Sequence, residues 1–135
     1  MSFELNPKLA QDSAFVCELP LSQVRLSNNA AFPWIILIPK QANVTEIIDL
    51  SMDDQKQLLN EINQASHVMR DLFSPTKLNI ANLGNIVAQL HIHVIARFAT
   101  DQAWPNPVWN SQVDARYSTE NQQKRINQIA TAFQG

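Results

Sequence analysis

The chain has little of what structural crosslinks or membrane passage would require. Its single cysteine, Cys17, excludes a disulfide within the chain and makes a reducing compartment the natural setting. Cys17 follows Ala14, Phe15 and Val16, so its expected role is that of a small core side chain. The longest aliphatic run, Ile35–Ile38, is far too short to span a bilayer. Residues Met1–Pro7 contain no basic stretch leading into an apolar one, so no signal peptide is expected. Positive charge is not in excess: Lys and Arg number 10 against 12 Asp and Glu, for a formal net charge of −2. That balance argues against a non-specific nucleic-acid binder, while leaving room for a local phosphate site. Together these shortages predict a soluble cytoplasmic protein with neither membrane nor nucleic acid as partner.

What is present fits one domain. The 135 residues are 45% hydrophobic, enough for one core. Repeats, low-complexity tracts and long linkers are not seen. Ala14–Leu19 ends at Pro20, and Gln23–Leu26 alternates polar and apolar residues as a strand with one buried face does. Ser27–Ala30 reads as a turn, and the loop Asn28–Phe32 feeds the continuous apolar strand Trp34–Ile38, whose lack of alternation predicts burial on both faces. Ser51 is a helix cap, and Leu58, Ile62, Ala65, Met69 and Leu72 recur at helical spacing, which predicts a helix over Met52–Phe73 ended by Ser74-Pro75. His67 falls off that stripe and is expected in solvent. Leu78 and Ile80 start a further strand. Ser118 or Thr119 caps a last helix whose stripe is Ile126, Ile129, Ala130 and Phe133. Two adjacent strands ahead of the long helix favour an antiparallel α+β domain.

The chemistry concentrates in Gln89-Leu90-His91-Ile92-His93-Val94-Ile95-Ala96-Arg97. On a strand, Gln89, His91 and His93 would share one face and Leu90, Ile92 and Val94 the other. Three readings compete. The histidines could simply occupy a solvated face. They could chelate a metal, although Zn²⁺ needs a third protein ligand, His67 is off on a helix and no carboxylate lies close in sequence. Or one neutral imidazole attacks phosphorus while the other donates to the phosphate oxygens. Gly84 is the only internal glycine, five residues before Gln89. It suits a tight turn, and equally a close approach of the Asn85 and Ile86 amides to a phosphate. Arg97, at even spacing from His93, could help hold polyphosphate or sit at a surface or interface. Trp104 and Trp109, in a Pro-rich stretch, could stack on a base or pack against the core or a partner.

The segment resembles the signature of the histidine triad (HIT) superfamily, His-φ-His-φ-His-φ-φ with φ apolar, and here Gln89 replaces the first histidine. The likeness extends through Lys77–Ile80, Gly84–Val87, Arg97 and Phe32–Lys40. The tail from Asp101 to Trp109 resembles a bacterial branch often labelled diadenosine tetraphosphate hydrolases. The resemblance covers roughly residues 10 to 110, with the C-terminal helix at about 118–133. It implies a five-stranded antiparallel meander with two main helices, and a homodimer that joins two sheets. It implies a substrate nucleotide bonded through its α-phosphate to a leaving group, as in a dinucleoside polyphosphate or a nucleoside phosphoramidate. His91 would be the nucleophile that forms a nucleotidyl-histidine, and His93 would hold the phosphate oxygens. Gln89 would orient His91 without any proton role. Asn79, Gly84, Asn85 and the amide of Ile86 would lie on the phosphate or ribose side, and Asn28 near the ribose and base. Ile86 stands where many relatives carry Ser or Thr, which removes a hydroxyl donor. No cofactor or metal is required, and Mg²⁺ would enter only with a polyphosphate substrate. The alternative is a nucleotide-binding sensor or adaptor that has lost turnover, a reading motivated by Gln89 and Ile86.

Overall fold

The computed structural model describes residues 2–135. The chain opens with a short helix, α1 (Pro7–Asp12), which the sequence reading does not anticipate. Its cause is local. The Asn6 side chain accepts from the Lys8 N–H at 2.8 Å, and Pro7 takes the first helical position, where a missing N–H costs nothing.

Then come β1 (Ser13–Glu18), β2 (Ser22–Ser27), β3 (Trp34–Pro39), α2 (Met52–Phe73), β4 (Lys77–Ala81), β5 (Ile92–Arg97) and α3 (Thr119–Gln134). The strands form one antiparallel five-stranded sheet in the order β1-β2-β3-β5-β4. The expected sheet and two long helices are therefore present, with β5 slotted between β3 and β4. Ser51 caps α2 through the Asp54 N–H, and the helix stops at Ser74, which adopts the left-handed conformation with φ of 47°. His67 is exposed on α2, as expected.

Strand alternation sorts the sheet into two faces. Val24, Leu26, Ile35, Leu37, Ile92, Val94 and Ala96 pack on one side with Leu58, Ala65 and Met69 of α2 and Ile129 of α3. The buried Glu61 of α2 accepts the N–H groups of Leu21 and Ser22 at 2.8 and 2.9 Å, which pins the helix to the β1–β2 hairpin. Cys17 packs against this cluster, and burial first, then the neighbouring Glu18, raises its thiol to about 11. The opposite face is covered in two patches. Leu9 of α1 and the N-terminal Phe3 and Leu5 lie over Ile36 and Ile38. Ala103 and Val108 lie over Phe32 and Ile95. The strand β3 is buried on both faces, as its apolar run demands.

The ladder ends earlier than the motif suggests. The register pairs Leu37 with Ile92, which would bring Leu90 opposite Pro39. Proline has no N–H to offer, and Leu90 instead donates to the Val44 carbonyl at 3.0 Å. Gln89, Leu90 and His91 are thus outside the strand they were expected to begin.

Candidate active site

Between the two patches on that second face lies a cavity of about 400 Å³. His91, His93 and Trp34 form its floor, α1 contributes Lys8, Leu9 and Asp12, and the loop after β4 contributes Leu83 to Val87. Ser27, Ile36 and Trp109 complete it. The loop turns at Gly84, whose φ of +77° is a conformation open to glycine and strained for other residues.

Both histidines are buried and their ring centroids lie 4.9 Å apart. Their hydrogen bonds set opposite tautomers. The Nδ1 atom of His91 lies 2.7 Å from the Gln89 carbonyl oxygen. A carbonyl only accepts, so this Nδ1 carries the hydrogen and Nε2 keeps a free lone pair. In His93 the arrangement is reversed. Its Nδ1 accepts from the Trp34 Nε1–H at 2.9 Å, so the hydrogen is on Nε2. Burial, and next the adjacent His91, lower the His93 pKa to about 3. Protonating His93 would also aim a second N–H at the indole N–H. This ring is therefore a neutral donor throughout the physiological range. Trp109 stands edge-on to His93 and to Trp34, with centroids 5.0 and 5.6 Å away. The two indoles keep water from one side of His93.

One imidazole thus presents an unprotonated nitrogen and its neighbour an N–H. That pair can attack an electrophile and hold the oxygens around it. Charge in the cavity is sparse. Among the described residues Lys8 is its only Lys or Arg, and Lys8 Nζ is 2.9 Å from the carboxylate of Asp12, which lines the same cavity. Among the described residues, no group of three or more His, Cys, Asp or Glu side chains is arranged to hold a metal ion.

The other residues singled out in the sequence divide. Gly84, Asn85 and Ile86 line the cavity, and Ile86 is 86% exposed at its rim. Gln89 contributes its carbonyl to His91, but its side chain turns to the N-terminal segment. Asn28 lies outside the lining: its amide donates to the Gln11 carbonyl, and the preceding Ser27 faces the cavity. Arg97 is only 2% exposed, and it is neither a surface nor a cavity residue. Its guanidinium donates to Asp101 at 2.8 and 3.0 Å, to Asn79 Oδ1 at 2.8 Å and to the Asn106 carbonyl at 2.8 Å, between the rings of Phe32 and Trp104. Asn79 is committed to that bond. Sequence reasoning missed Lys8, Leu9 and Asp12, for which the Asn6-Pro7 cap was the available signal. It also missed Trp34 as the partner of His93, since nothing in a sequence states which strands become neighbours.

The family model for the HIT domain matches residues 8–100. This chain belongs to the HIT family. The HIT fold extends over nearly its full length in bacterial relatives. A histidine triad protein from Bradyrhizobium japonicum is 37% identical, with a TM-score of 0.95 over 98% of this chain and 99% of that one. One from Marinobacter aquaeolei is 37% identical with a TM-score of 0.95, over 99% and 98%. A Plasmodium falciparum diadenosine triphosphate hydrolase shares the HIT fold at 19% identity and a TM-score of 0.64, over 98% of this chain and 84% of that one. No curated protein matches the chain. HIT proteins bind nucleotides, and the family includes hydrolases and transferases. Among the described residues, no helix is long and apolar enough to cross a membrane.

Proposed function

We propose that this protein is a nucleotide hydrolase or nucleotidyl transferase acting at an α-phosphate, with His91 as the nucleophile. The observation that carries the reading is the opposed tautomers of His91 and His93. The Nε2 lone pair of His91 attacks phosphorus, and a bond from Nε2 to phosphorus forms as the bond to the leaving group breaks. The leaving group departs with that electron pair and takes a proton from solvent. Water then attacks the nucleotidyl-histidine, releasing the nucleoside monophosphate and restoring His91; another acceptor in place of water gives transfer. His93 Nε2–H donates to a non-bridging oxygen in both steps, and its depressed pKa suits a fixed donor rather than a proton source. Asn85 and Ile86, beside Gly84, line the same space, and their amides would meet the phosphate oxygens there.

The cavity's charge favours one substrate type. A polyphosphate chain would meet one lysine already paired with an aspartate. An α-phosphate bonded to an uncharged amine or apolar group would meet Leu83, Ile86, Val87 and Trp109. A nucleoside phosphoramidate therefore fits better than diadenosine tetraphosphate, for which Mg²⁺ would have to neutralise the chain. The protein acts in the cytoplasm as a homodimer in this reading, supported by the open edge at β4, where Ile80 is 49% exposed.

The test is hydrolysis of adenosine phosphoramidate and diadenosine tetraphosphate by the wild-type protein and His91→Ala, with intact-mass detection of a covalent adenylate. Turnover and an adenylate that vanish together in the variant establish the mechanism. Nucleotide binding with neither signal sinks it and identifies a binding module.

A further inference from the structure

Gln89 stands at the motif position where the family's first histidine is expected, and its side chain does something unrelated to proton transfer. Its Oε1 accepts the Asn6 N–H at 2.8 Å and its Nε2 donates to the Glu4 carbonyl at 2.9 Å. One planar amide thus satisfies both backbone directions of an extended segment, as a neighbouring strand would. That segment leads directly into α1, and Asn6 is the α1 cap. Three cavity residues, Lys8, Leu9 and Asp12, ride on α1. The far end of α1 is also anchored. The buried Arg25 donates to the carbonyls of Ala10 and Ser13 and to the Ser13 hydroxyl, while the Asn28 side chain holds the Gln11 carbonyl. Leu9 is buried over Ile36 and Ile38 between these two anchors.

We propose that Gln89 is a positioning residue that clamps the N-terminal segment and α1 over the cavity, so that one wall of the substrate site is fastened to the residue whose carbonyl orients the nucleophile. The inference accepts the reading of this cavity as the substrate site. The two functions of Gln89 separate cleanly, because the carbonyl that meets His91 survives any substitution while the amide that holds the wall does not. A histidine at this position could not replace the clamp. Its two nitrogens diverge across the ring, whereas the amide oxygen and nitrogen lie side by side.

The experiment compares wild type with Gln89→Ala and Gln89→His by hydrogen exchange at the amides of Asn6, Leu9 and Ala10, and by kcat and KM for adenosine phosphoramidate. Each variant is expected to exchange at Asn6 and along α1 about fivefold faster or more, from the loss of two hydrogen bonds. KM is expected to rise several-fold with kcat within about twofold of wild type. Unchanged exchange overturns the clamp. Faster exchange with unchanged KM overturns its role in the site, and a large fall in kcat would place the Gln89 side chain in the chemistry instead. The exchange arm needs no substrate. A wild-type protein inert towards nucleotides defeats the functional reading and leaves the clamp to be judged on exchange alone.

Discussion

The two ends of one face of β5 have opposite fates. His93 and Arg97 lie four residues apart, and strand periodicity assigns them to the same side of the sheet. At one end the cover is split between α1 and the Trp109 loop, leaving a cavity in which a neutral imidazole can donate to a ligand. At the other the chain turns back after β5, and Asp101 and Asn106 use the guanidinium as an internal fastener. Strand geometry decides which way a side chain points. The segment that covers the face decides whether that side chain serves a ligand or the fold.

The largest expected effects test this division at its extremes. His91→Ala should cut turnover by about a thousandfold or more and abolish the adenylate, while thermal stability shifts little. Calorimetry beside steady-state kinetics reads both, and retained turnover would remove His91 from the mechanism. Arg97→Ala should do the reverse. It leaves the Asp101 carboxylate, 7% exposed, without its cation, and such a loss costs about 3–5 kcal/mol. Any folded fraction should keep near-normal KM, because the guanidinium does not line the cavity. The pH dependence carries the same signature. The Arg97 guanidinium, with the N–H groups of Phe98, Trp104 and Ala103, holds Asp101 down at about 2, below its ordinary 3.8. A depressed carboxylate contributes stability above its unfolded pKa and loses it as pH falls towards 2. Asp101→Asn should remove that acid-side slope.

A subtler change sharpens the comparison inside the cavity. Trp34→Phe keeps a ring over the floor and deletes the N–H that fixes the His93 tautomer. We expect kcat to fall about tenfold to a hundredfold, in line with a misoriented hydrogen-bond donor. Stability should report it too. The folded pKa of about 3 lies below the ordinary 6.5, so the unfolded state binds the proton first. The His93 contribution to stability is therefore full above pH 6.5 and declines by about 1.4 kcal/mol per unit as pH falls from there towards 3. With the opposing indole N–H gone, His93 accepts a proton more readily and that slope should flatten. Denaturant titrations at several pH values measure it, and an unchanged slope would mean that the indole bond contributes nothing to keeping His93 neutral.

Much of this fold was legible because periodicity and caps are local. Ser51 and the stripe through Met69 give α2, and the apolar run Trp34–Ile38 gives a central strand. The two histidines were legible as a chemical pair for the same reason. Their division of labour was not, because it depends on a carbonyl two residues back and an indole on a different strand. The cover of the face was equally out of reach. Only the Asn6-Pro7 pair hinted at α1, and the partners of Arg97 lie in an irregular loop with no periodic signal. The expected extension of the strand to Gln89 fails on Pro39, whose effect on the ladder becomes visible only once the register is known.

The smallest expected effect probes the rim of the cavity, which the Gly84 loop forms. Gly84→Ala meets no hard clash, since the added carbon would lie 3.5 Å from the Val87 carbonyl oxygen. The cost comes from φ of +77°, which disfavours a side chain by about 1 kcal/mol. Two responses are distinguishable. If the loop holds its shape, the strain appears as a fall of a few degrees in the melting temperature with kcat/KM intact. If the loop relaxes, stability is retained, the Asn85 and Ile86 amides move away, and kcat/KM falls by severalfold. The second outcome is expected. Ile86 is almost fully exposed and Leu83 half-exposed, so the residues flanking Gly84 offer little packing against a change of φ. The loop's packed side chain, Val87 against Leu9, Ile36 and Ile38, lies three residues on. Measuring both quantities on the one variant separates a loop that merely closes the chain from one that shapes the site.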